Sequence, residues 1–192
     1  MYLIGIDEVG RGCLAGPVVV AAVMIAKGMK FPKGLRDSKR LSEKQRSEWL
    51  LYIKNNPKIF CASAVVSPAV IDRINISQAA NLAALRALSK FLRPIGRKIK
   101  IQLDGGLYLK NKDYQKNFNA ETVIKGDEKI NAIKLASIVA KVKRDKMMKR
   151  LGNIFPEYCF EIHKGYATKL HREAIKKNGL CEWHRRSFCK RI

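Results

Sequence analysis

Long apolar segments are absent from this sequence. The longest apolar run, Val18–Ala26, has nine residues, whereas a helix that crosses a membrane needs about 20. The chain also begins without the basic start, apolar stretch and small-residue cleavage site of a signal peptide. We therefore expect a cytoplasmic protein with no membrane segment.

Cysteines and histidines are few and follow no ligand spacing. The cysteines are Cys13, Cys61, Cys159, Cys181 and Cys189. Their odd number and the lack of a Cys-x-x-Cys pair argue against a disulfide framework and against a zinc site. The histidines are His163, His171 and His184. Their spacing matches no metal motif, which predicts structural or surface roles.

Acidic residues are scarce. The 192 residues include 16 Asp and Glu against 39 Lys and Arg, which gives a formal net charge of +23. This balance favours a polyanionic partner, with nucleic acid ahead of an anionic membrane surface. The 47% hydrophobic content allows a buried core, and the length predicts a single domain over residues 1–192. No feature of the sequence suggests more than a monomer.

Strand-like and helix-like segments alternate along the chain. Apolar patterning predicts five strands, at residues 2–7, 17–25, 60–66, 98–104 and 121–124. Helical periodicity predicts a helix after the capping box at Ser42 and others at 77–92, 130–151 and 170–177. In the second of these, Leu82, Leu85, Leu88 and Leu92 fall on one face. This order indicates an α/β protein, with a mixed sheet flanked by helices and a small helical C-terminal region from about residue 156.

Four acidic residues stand at or just after predicted strand ends. They are Asp7, Glu8, Asp104 and Asp127. Ligands collect at strand ends in open α/β sheets, and carboxylates tolerate one another only where they share protons or cations. Their oxygens suit Mg²⁺ or Mn²⁺, and two such ions about 3.5–4 Å apart can cleave a phosphodiester. The pattern is therefore consistent with a metal-dependent nuclease.

The spacing leaves one difficulty open. Neighbours on a regular strand face opposite sides, so Asp7 and Glu8 cannot both point into one pocket. Either the strand ends at Asp7, or Glu8 reaches round or contributes its main-chain carbonyl. The plainer alternative is that both residues form a solvated turn and that Asp104 is a turn residue before Gly105.

Several sequence blocks resemble bacterial ribonuclease HII. They are Gly-Ile-Asp-Glu-Val-Gly-Arg-Gly at 5–12, Arg-Asp-Ser-Lys at 36–39, Leu-Asp-Gly at 103–105, Lys-Gly-Asp at 125–127, Ala-Ser-Ile-Val-Ala-Lys-Val at 136–142, His-Lys-Gly-Tyr-Ala-Thr at 163–168 and His-Arg-Arg-Ser-Phe at 184–188. The blocks follow the family's order over nearly the whole chain. The resemblance implies the ribonuclease H-like fold.

By this resemblance, the protein cleaves the RNA strand of RNA–DNA hybrids. It also nicks duplex DNA on the 5′ side of an embedded ribonucleotide, leaves 3′-hydroxyl and 5′-phosphate ends, and so removes misincorporated ribonucleotides. The cofactor is Mn²⁺ or Mg²⁺, held by Asp7, Glu8, Asp104 and Asp127 as the catalytic carboxylates. Glu128 is the neighbour that could be mistaken for Asp127.

The resemblance also assigns contacts to the substrate. The turn formed by Gly10, Arg11 and Gly12 contacts the ribonucleotide at the junction, because glycine lets the main chain approach a 2′-hydroxyl. Tyr166 packs against the deoxyribose that follows. Without the resemblance, these residues are an ordinary tight turn and a surface tyrosine.

Other basic and polar residues could contact the phosphate backbone. Ser38 and Lys39 contact backbone phosphate by resemblance, although Asp-Ser-Lys is otherwise a common polar loop. Lys141 and Asp145 stay unassigned. The basic residues from Arg185 to Arg191 are expected to form a solvated face that adds phosphate affinity.

The chain departs from the family pattern at Gly106, at Lys134 and Leu135, and at Ala167, which could alter how Tyr166 is presented. Two rival functions remain. One is a basic RNA-binding module without catalysis. The other is the sister ribonuclease H family, which needs a run of ribonucleotides; the turn at 10–12 argues against it.

Overall fold

The computed structural model describes residues 1–91, 99–109 and 120–192. The strands are β1 (Tyr2–Val9), β2 (Val18–Ala26), β3 (Phe60–Val66), β4 (Ile99–Asp104) and β5 (Ala120–Val123). They form one mixed sheet in the order β3-β2-β1-β4-β5. β2 is antiparallel to β1 and β3, whereas β4 runs parallel to β1 and β5 parallel to β4. The carboxyl ends of β1, β4 and β5 therefore meet at one edge of the sheet.

Helices cover both faces of this sheet. They are α1 (Glu43–Asn55), α2 (Pro68–Ile74), α3 (Ile76–Leu88), α4 (Gly126–Lys129), α5 (Asn131–Ile154), α6 (Phe160–His163) and α7 (Lys169–Asn178). Ile4 and Ile6 of β1 belong to the core on the α3 face, while Val19 and Ala21 of β2 pack on the α5 face. The predicted α/β class and mixed sheet are confirmed, and no helix among the described residues is long and apolar enough to span a bilayer.

Two predicted elements differ from the structure. β1 continues to Val9 instead of ending at Asp7, because Glu8 and Val9 pair with Val20 and Val19 of β2. The predicted helix at 77–92 is preceded by a second helix, α2, which the sequence analysis missed. Asn75 separates α2 from α3 with a φ of 62°, and its side chain caps α3 by accepting from the Gln78 N–H.

The buried face of α3 includes the predicted leucines Leu82, Leu85 and Leu88 but consists mainly of smaller side chains. Alanines, together with Leu88, line it, whereas Leu82 and Leu85 are only partly buried. Leu92 lies outside the described residues. Small side chains let α3 approach the sheet closely, which the leucine periodicity did not reveal.

The C-terminal region packs over the loop that joins β1 to β2. Ala15 shares a buried cluster with Met148, Tyr158 and Phe160, and Leu14 packs with Ile175 in a second cluster. The predicted helix at 170–177 is α7, and the N–H of the predicted cap Gly179 donates to the carbonyl of Ile175. These contacts place the C-terminal region beside the carboxyl end of β1.

Candidate active site

The strand ends bring the four predicted carboxylates to one edge of the sheet. Asp7 and Glu8 lie near the end of β1, Asp104 ends the neighbouring β4, and Asp127 lies in α4 just after β5. We call these four residues the carboxylate edge. The electrostatic effect of Asp104 on both residues of β1 shows that the negative charges are close enough to interact.

Asp7 is buried on the α5 face of the sheet. Its Oδ1 accepts the N–H of Glu8 at 2.7 Å, and its carboxylate also receives a hydrogen bond from Ser137 of α5. Burial, followed by the negative charges of Glu8 and Asp104, raises the pKa of Asp7 well above its usual value. This carboxylate therefore gains from any cation that enters the site.

Glu8 faces the opposite side of the sheet, since the strand stays regular through Val9. Its Oε1 accepts from Arg11 Nη1 at 3.2 Å, and its Oε2 is buried with no hydrogen-bond partner among the residues that the structure describes. Burial raises the pKa of Glu8, with Arg11 opposing the shift and Asp104 adding to it. The strand does not end at Asp7, so Glu8 meets Asp7 only around the strand end or through its main-chain carbonyl.

Asp104 and Asp127 are joined through the main chain. The N–H of Asp127 donates to Asp104 Oδ1 at 3.2 Å. A Cβ on Gly126 would lie 2.5 Å from Ile133 Cδ1 and 3.3 Å from Asp104 Oδ1, so this close approach requires glycine. Asp127 is buried and turned inward while Glu128 is exposed. The placement favours Asp127 over its neighbour as the fourth carboxylate.

The carboxylate oxygens of this edge are suitable ligands for a hard divalent cation, but in this structure they do not surround one point. Among residues 1–91, 99–109 and 120–192, no three acidic, histidine or cysteine side chains are posed to enclose an ion. Arg11 faces Glu8, and Lys39 Nζ lies 3.2 Å from Asp127 Oδ2. A bound divalent cation would give Glu8 Oε2 a partner and would offset the repulsion at Asp7.

The predicted substrate turn lies directly beside these carboxylates. Gly10 is buried with a φ of 89°, whereas Gly12 is exposed and faces open space. The Arg11 guanidinium points inward, donating to the Gly106 carbonyl at 2.9 Å and to Ser77 Oγ at 3.0 Å. A Cβ on Gly106, one of the departures from the family pattern, would lie 2.5 Å from Arg11 Nη1 and would displace the end of that side chain.

Tyr166 is held against the residues that directly follow this turn. The N–H groups of Leu14 and Ala15 donate to the carbonyl of Gly165 at 2.9 and 3.3 Å. The Tyr166 side chain remains 41% exposed, hydrogen-bonds with Cys13 and lies beside the Arg144 guanidinium, with 5.9 Å between Cζ and the ring centroid. The neighbouring Ala167 keeps an ordinary negative φ, so this substitution for glycine adds no backbone strain.

Ser38 and Lys39 differ in what they offer a substrate. Ser38 is buried and its Oγ lies 2.7 Å from Ser137 Oγ, so its hydroxyl supports the residue that binds Asp7. The side chain of Ser38 is therefore not presented to a phosphate in this conformation. Lys39 is exposed, and its phosphate contact stays a prediction.

Lys141 and Asp145, to which the sequence assigned no role, belong to a salt-bridge network beneath the surface. Asp145 is buried and lies 2.8 Å from Lys141 Nζ and 3.7 Å from Arg46 Nη2. This network ties α5 to α1. It leaves Lys141 engaged with a carboxylate, which agrees with keeping it out of the substrate contacts.

The expectation that Arg185 is a solvated basic residue is wrong. Its side chain is fully buried, and so is that of Arg144 on α5. The three histidines are buried next to one another, with His171 Nε2 3.1 Å from His184 Nε2 and the His163 ring stacked on His171. This burial is what the predicted structural role requires. Their proximity could not be found from the spacing because it arises from packing of α6, α7 and the C-terminal segment.

Comparison with known proteins decides the family. The family model described as ribonuclease HII matches residues 4–191. Ribonuclease HII of Endomicrobium trichonymphae is 48% identical over 187 residues, covering 96% of this chain and 83% of that protein. The chain belongs to the ribonuclease HII family.

Two further likenesses agree with this membership. Ribonuclease HII of Bacillus mycoides (strain KBAB4) is 46% identical, covering 97% of this chain and 68% of that protein. A ribonuclease HII from Archaeoglobus fulgidus, solved in complex with PCNA, is 25% identical with a TM-score of 0.74, covering 97% of this chain and 94% of that one. Family membership establishes a ribonuclease H enzyme and the ribonuclease H-like fold.

Proposed function

We propose that this ribonuclease H cleaves the RNA strand of RNA–DNA hybrids and nicks duplex DNA 5′ of single embedded ribonucleotides, leaving 3′-hydroxyl and 5′-phosphate ends. The observation that carries the proposal is the position of the 10–12 turn. It lies between the carboxylate edge and Tyr166, so a group that reads the sugar stands beside groups that act on phosphate. Ribonucleotide excision from DNA is the corresponding biological role.

The carboxylate edge is the proposed metal site. Asp7, Glu8, Asp104 and Asp127 would hold Mn²⁺ or Mg²⁺, most simply as two ions. When bound, such ions activate a water for attack on phosphorus and stabilise the leaving oxygen. Asp7 contributes a carboxylate that Ser137 orients, and Asp104 receives the N–H that fixes its position relative to Asp127.

Other residues bind and orient the polyanion. The net charge of +23 attracts nucleic acid, and the exposed Lys39 ammonium can exchange Asp127 for a backbone phosphate. The exposed Gly12 lets the main chain approach a 2′-hydroxyl, which is read and not used as the nucleophile. The exposed face of Tyr166 packs against the sugar on the 3′ side. Monomeric state and cytoplasmic location remain predictions.

The test uses three labelled duplexes: all-DNA, DNA with one ribonucleotide, and an all-RNA strand paired with DNA. Each is incubated with Mn²⁺, with Mg²⁺ and with chelator. We expect metal-dependent cleavage of the last two only, with the nick 5′ of the ribonucleotide. Cleavage of the hybrid alone would support the sister specificity for ribonucleotide runs. Binding without any cleavage would contradict the proposed activity.

A further inference from the structure

Two buried guanidinium groups surround the loop that contains the substrate turn. Arg144 and Arg185 are both fully buried. Within residues 1–91, 99–109 and 120–192, neither has a carboxylate at ion-pair distance. Buried arginines without an acidic partner are costly, so their donors must be satisfied in another way.

Arg185 binds the main chain of the turn itself. Its Nη2 donates to the Gly10 carbonyl at 2.6 Å, and its Nη1 donates to the Arg11 carbonyl at 2.9 Å. Its Nε donates to the Gly16 carbonyl at 3.0 Å. Each of these bonds points a carbonyl of the loop inward, toward the C-terminal region.

Arg144 binds the second half of the loop and the segment before Tyr166. Its Nε donates to the Pro17 carbonyl at 2.9 Å and its Nη2 to the Ala15 carbonyl at 3.0 Å. Its Nη1 donates to the Lys164 carbonyl at 2.8 Å. One side chain on α5 therefore fixes both the 10–17 loop and the chain that carries the tyrosine.

The loop is shaped to accept these side chains. A Cβ on Gly10 would lie 2.1 Å from Arg144 Nε, and one on Gly16 would lie 3.2 Å from Arg144 Nη2. Both glycines have positive φ values, 89° and 82°. Gly10 thus serves the contact with the Arg144 guanidinium as well as the turn geometry, whereas a Cβ on Gly16 would lie nearest to Met148 Sδ, at 2.3 Å.

The orientation of the carbonyls determines where the neighbouring N–H groups point. All described peptide bonds are trans, and in a trans peptide the N–H points opposite to the C=O of the preceding residue. Because Arg185 draws the carbonyls of Gly10 and Arg11 inward, the N–H groups of Arg11 and Gly12 point outward. Neither of these N–H groups donates to a main-chain carbonyl among the described residues.

Maintaining this arrangement is costly. Burial lowers the pKa of Arg185 to about 10, and the positive charge of Arg144 adds to this shift. Cys13, Asp72 and Tyr166 oppose it in part. It remains charged at neutral pH, and an apolar side chain would avoid the cost of desolvation. Arg185 is thus a costly buried charge whose hydrogen bonds turn the N–H groups of Arg11 and Gly12 toward the surface. Such a cost is typical of a functional site.

We propose that Arg144 and Arg185 are positioning residues for ribonucleotide recognition, which hold the 10–17 loop so that the N–H groups of Arg11 and Gly12 face the ribose and its phosphate. The inference rests on the proposed function, because it concerns how the same turn reads a 2′-hydroxyl. It adds that the turn is fixed before substrate binds, by side chains that never touch the substrate.

The test is Arg185→Lys, which keeps the positive charge and loses the planar fork that binds two carbonyls. Dissociation constants are measured in chelator, where no cutting occurs, for two duplexes that differ by one 2′-hydroxyl. We expect the wild type to prefer the ribonucleotide duplex and the variant to lose this preference by about tenfold. Binding of the all-DNA duplex should change less than about twofold, since phosphate contacts remain.

The matched control is Arg186→Lys, on the exposed neighbour, which should keep the wild-type preference. Arg144→Lys, with the exposed Arg150→Lys as its control, should repeat the result. A folded Arg185→Lys protein that retains the preference would overturn the inference. So would a wild type that nicks at the ribonucleotide without preferring it in binding. A wild type that does not nick there would instead overturn the proposed function.

A second measurement on the wild type covers the case in which the variants do not fold. Hydrogen exchange is followed over residues 10–17, with and without the ribonucleotide duplex. We expect the amides of Leu14 and Gly16 to be protected equally in both states, and new protection to be confined to Arg11 and Gly12. Protection of the whole loop only on binding would show that it is not held in advance, and would overturn the inference.

Discussion

Two charge clusters of opposite sign contact the region of the 10–17 loop: the partly buried carboxylate edge and the fully buried Arg144 and Arg185. The carboxylate edge is incompletely satisfied: within the described part of the chain Glu8 Oε2 has no hydrogen-bond partner, and burial and repulsion raise the pKa of Asp7. The two buried arginines, in contrast, donate hydrogen bonds to main-chain carbonyls of the loop and to the carbonyl of Lys164. In our proposal the unsatisfied carboxylates bind ions and substrate, whereas the satisfied arginines hold the loop in place.

The largest effect is expected from removing a charge at the carboxylate edge. Asp7→Asn or Asp104→Asn should lower cleavage in Mn²⁺ at least about a thousandfold, because each removes a proposed metal ligand. Without metal, Asp7→Asn should unfold at a higher temperature than the wild type, since it removes a buried charge repelled by its neighbours. Cleavage rates in Mn²⁺ check the predicted loss of activity, and thermal unfolding in chelator checks the predicted gain in stability.

The control for this pair is Glu128→Gln, on the exposed neighbour of Asp127. It should leave both activity and unfolding temperature nearly unchanged. Wild-type cleavage by either Asn variant would remove the carboxylate edge from the reaction.

Removing a buried arginine should affect stability instead. Arg144→Met should lower the free energy of unfolding by about 3–5 kcal/mol, because three carbonyls lose their donor inside the protein. Arg150→Met, on the exposed side of the same helix, is the control. Equal denaturation midpoints for the two variants would show that the guanidinium contributes no net stability.

The buried histidines link this region to pH. Burial lowers the pKa of His171 and of His184 to about 4 each. Both are neutral in the folded protein, while the unfolded chain takes up protons below about pH 6.5, so acidification from 6.5 to 4 favours unfolding. We expect a loss of about 1–3 kcal/mol per histidine over this window.

Comparison of the wild type with His184→Asn isolates the histidine from the carboxylates that titrate nearby. Thermal unfolding from pH 4 to 7.5 should show a shallower pH dependence in the variant. An identical slope in both proteins would contradict the assignment of a neutral buried His184.

The smallest effect is expected at Lys39, which neutralises Asp127 in the metal-free protein. Lys39→Met should tighten Mn²⁺ binding by a few fold, because the carboxylate no longer has a competing cation, and should raise KM for the duplex. Calorimetric titration and steady-state kinetics check this, with the exposed Arg40→Met as control. Weaker Mn²⁺ binding in the Lys39 variant would mean that the ion pair assists the site.

Local features of the fold were predictable from sequence, whereas contacts between distant segments were not. Strand β3 and the capping box at Ser42 depend on neighbouring residues, and both lie at the positions predicted from the sequence. Asn75, whose left-handed conformation divides two helices, gives a weaker local signal. The burial of Arg185 depends on a loop about 170 residues earlier in the chain, which no spacing rule contains.

The candidate site follows the same division. The strand ends indicated that Asp7 and Asp104 would converge, because parallel neighbours end at one edge. The side chains that orient them come from elsewhere: Ser137 from α5, and Arg11 folded back across the turn. The pattern of acidic residues therefore indicated the candidate site but did not reveal the side chains that support it.

The most direct test of this account is single-turnover cleavage of two duplexes identical except for one 2′-hydroxyl, with Mn²⁺ present. The account predicts one nick, on the 5′ side of the ribonucleotide, and none in the all-DNA duplex. Equal cleavage of both duplexes, or a nick at another position, would contradict the claim that the 10–12 turn reads the sugar beside the carboxylate edge.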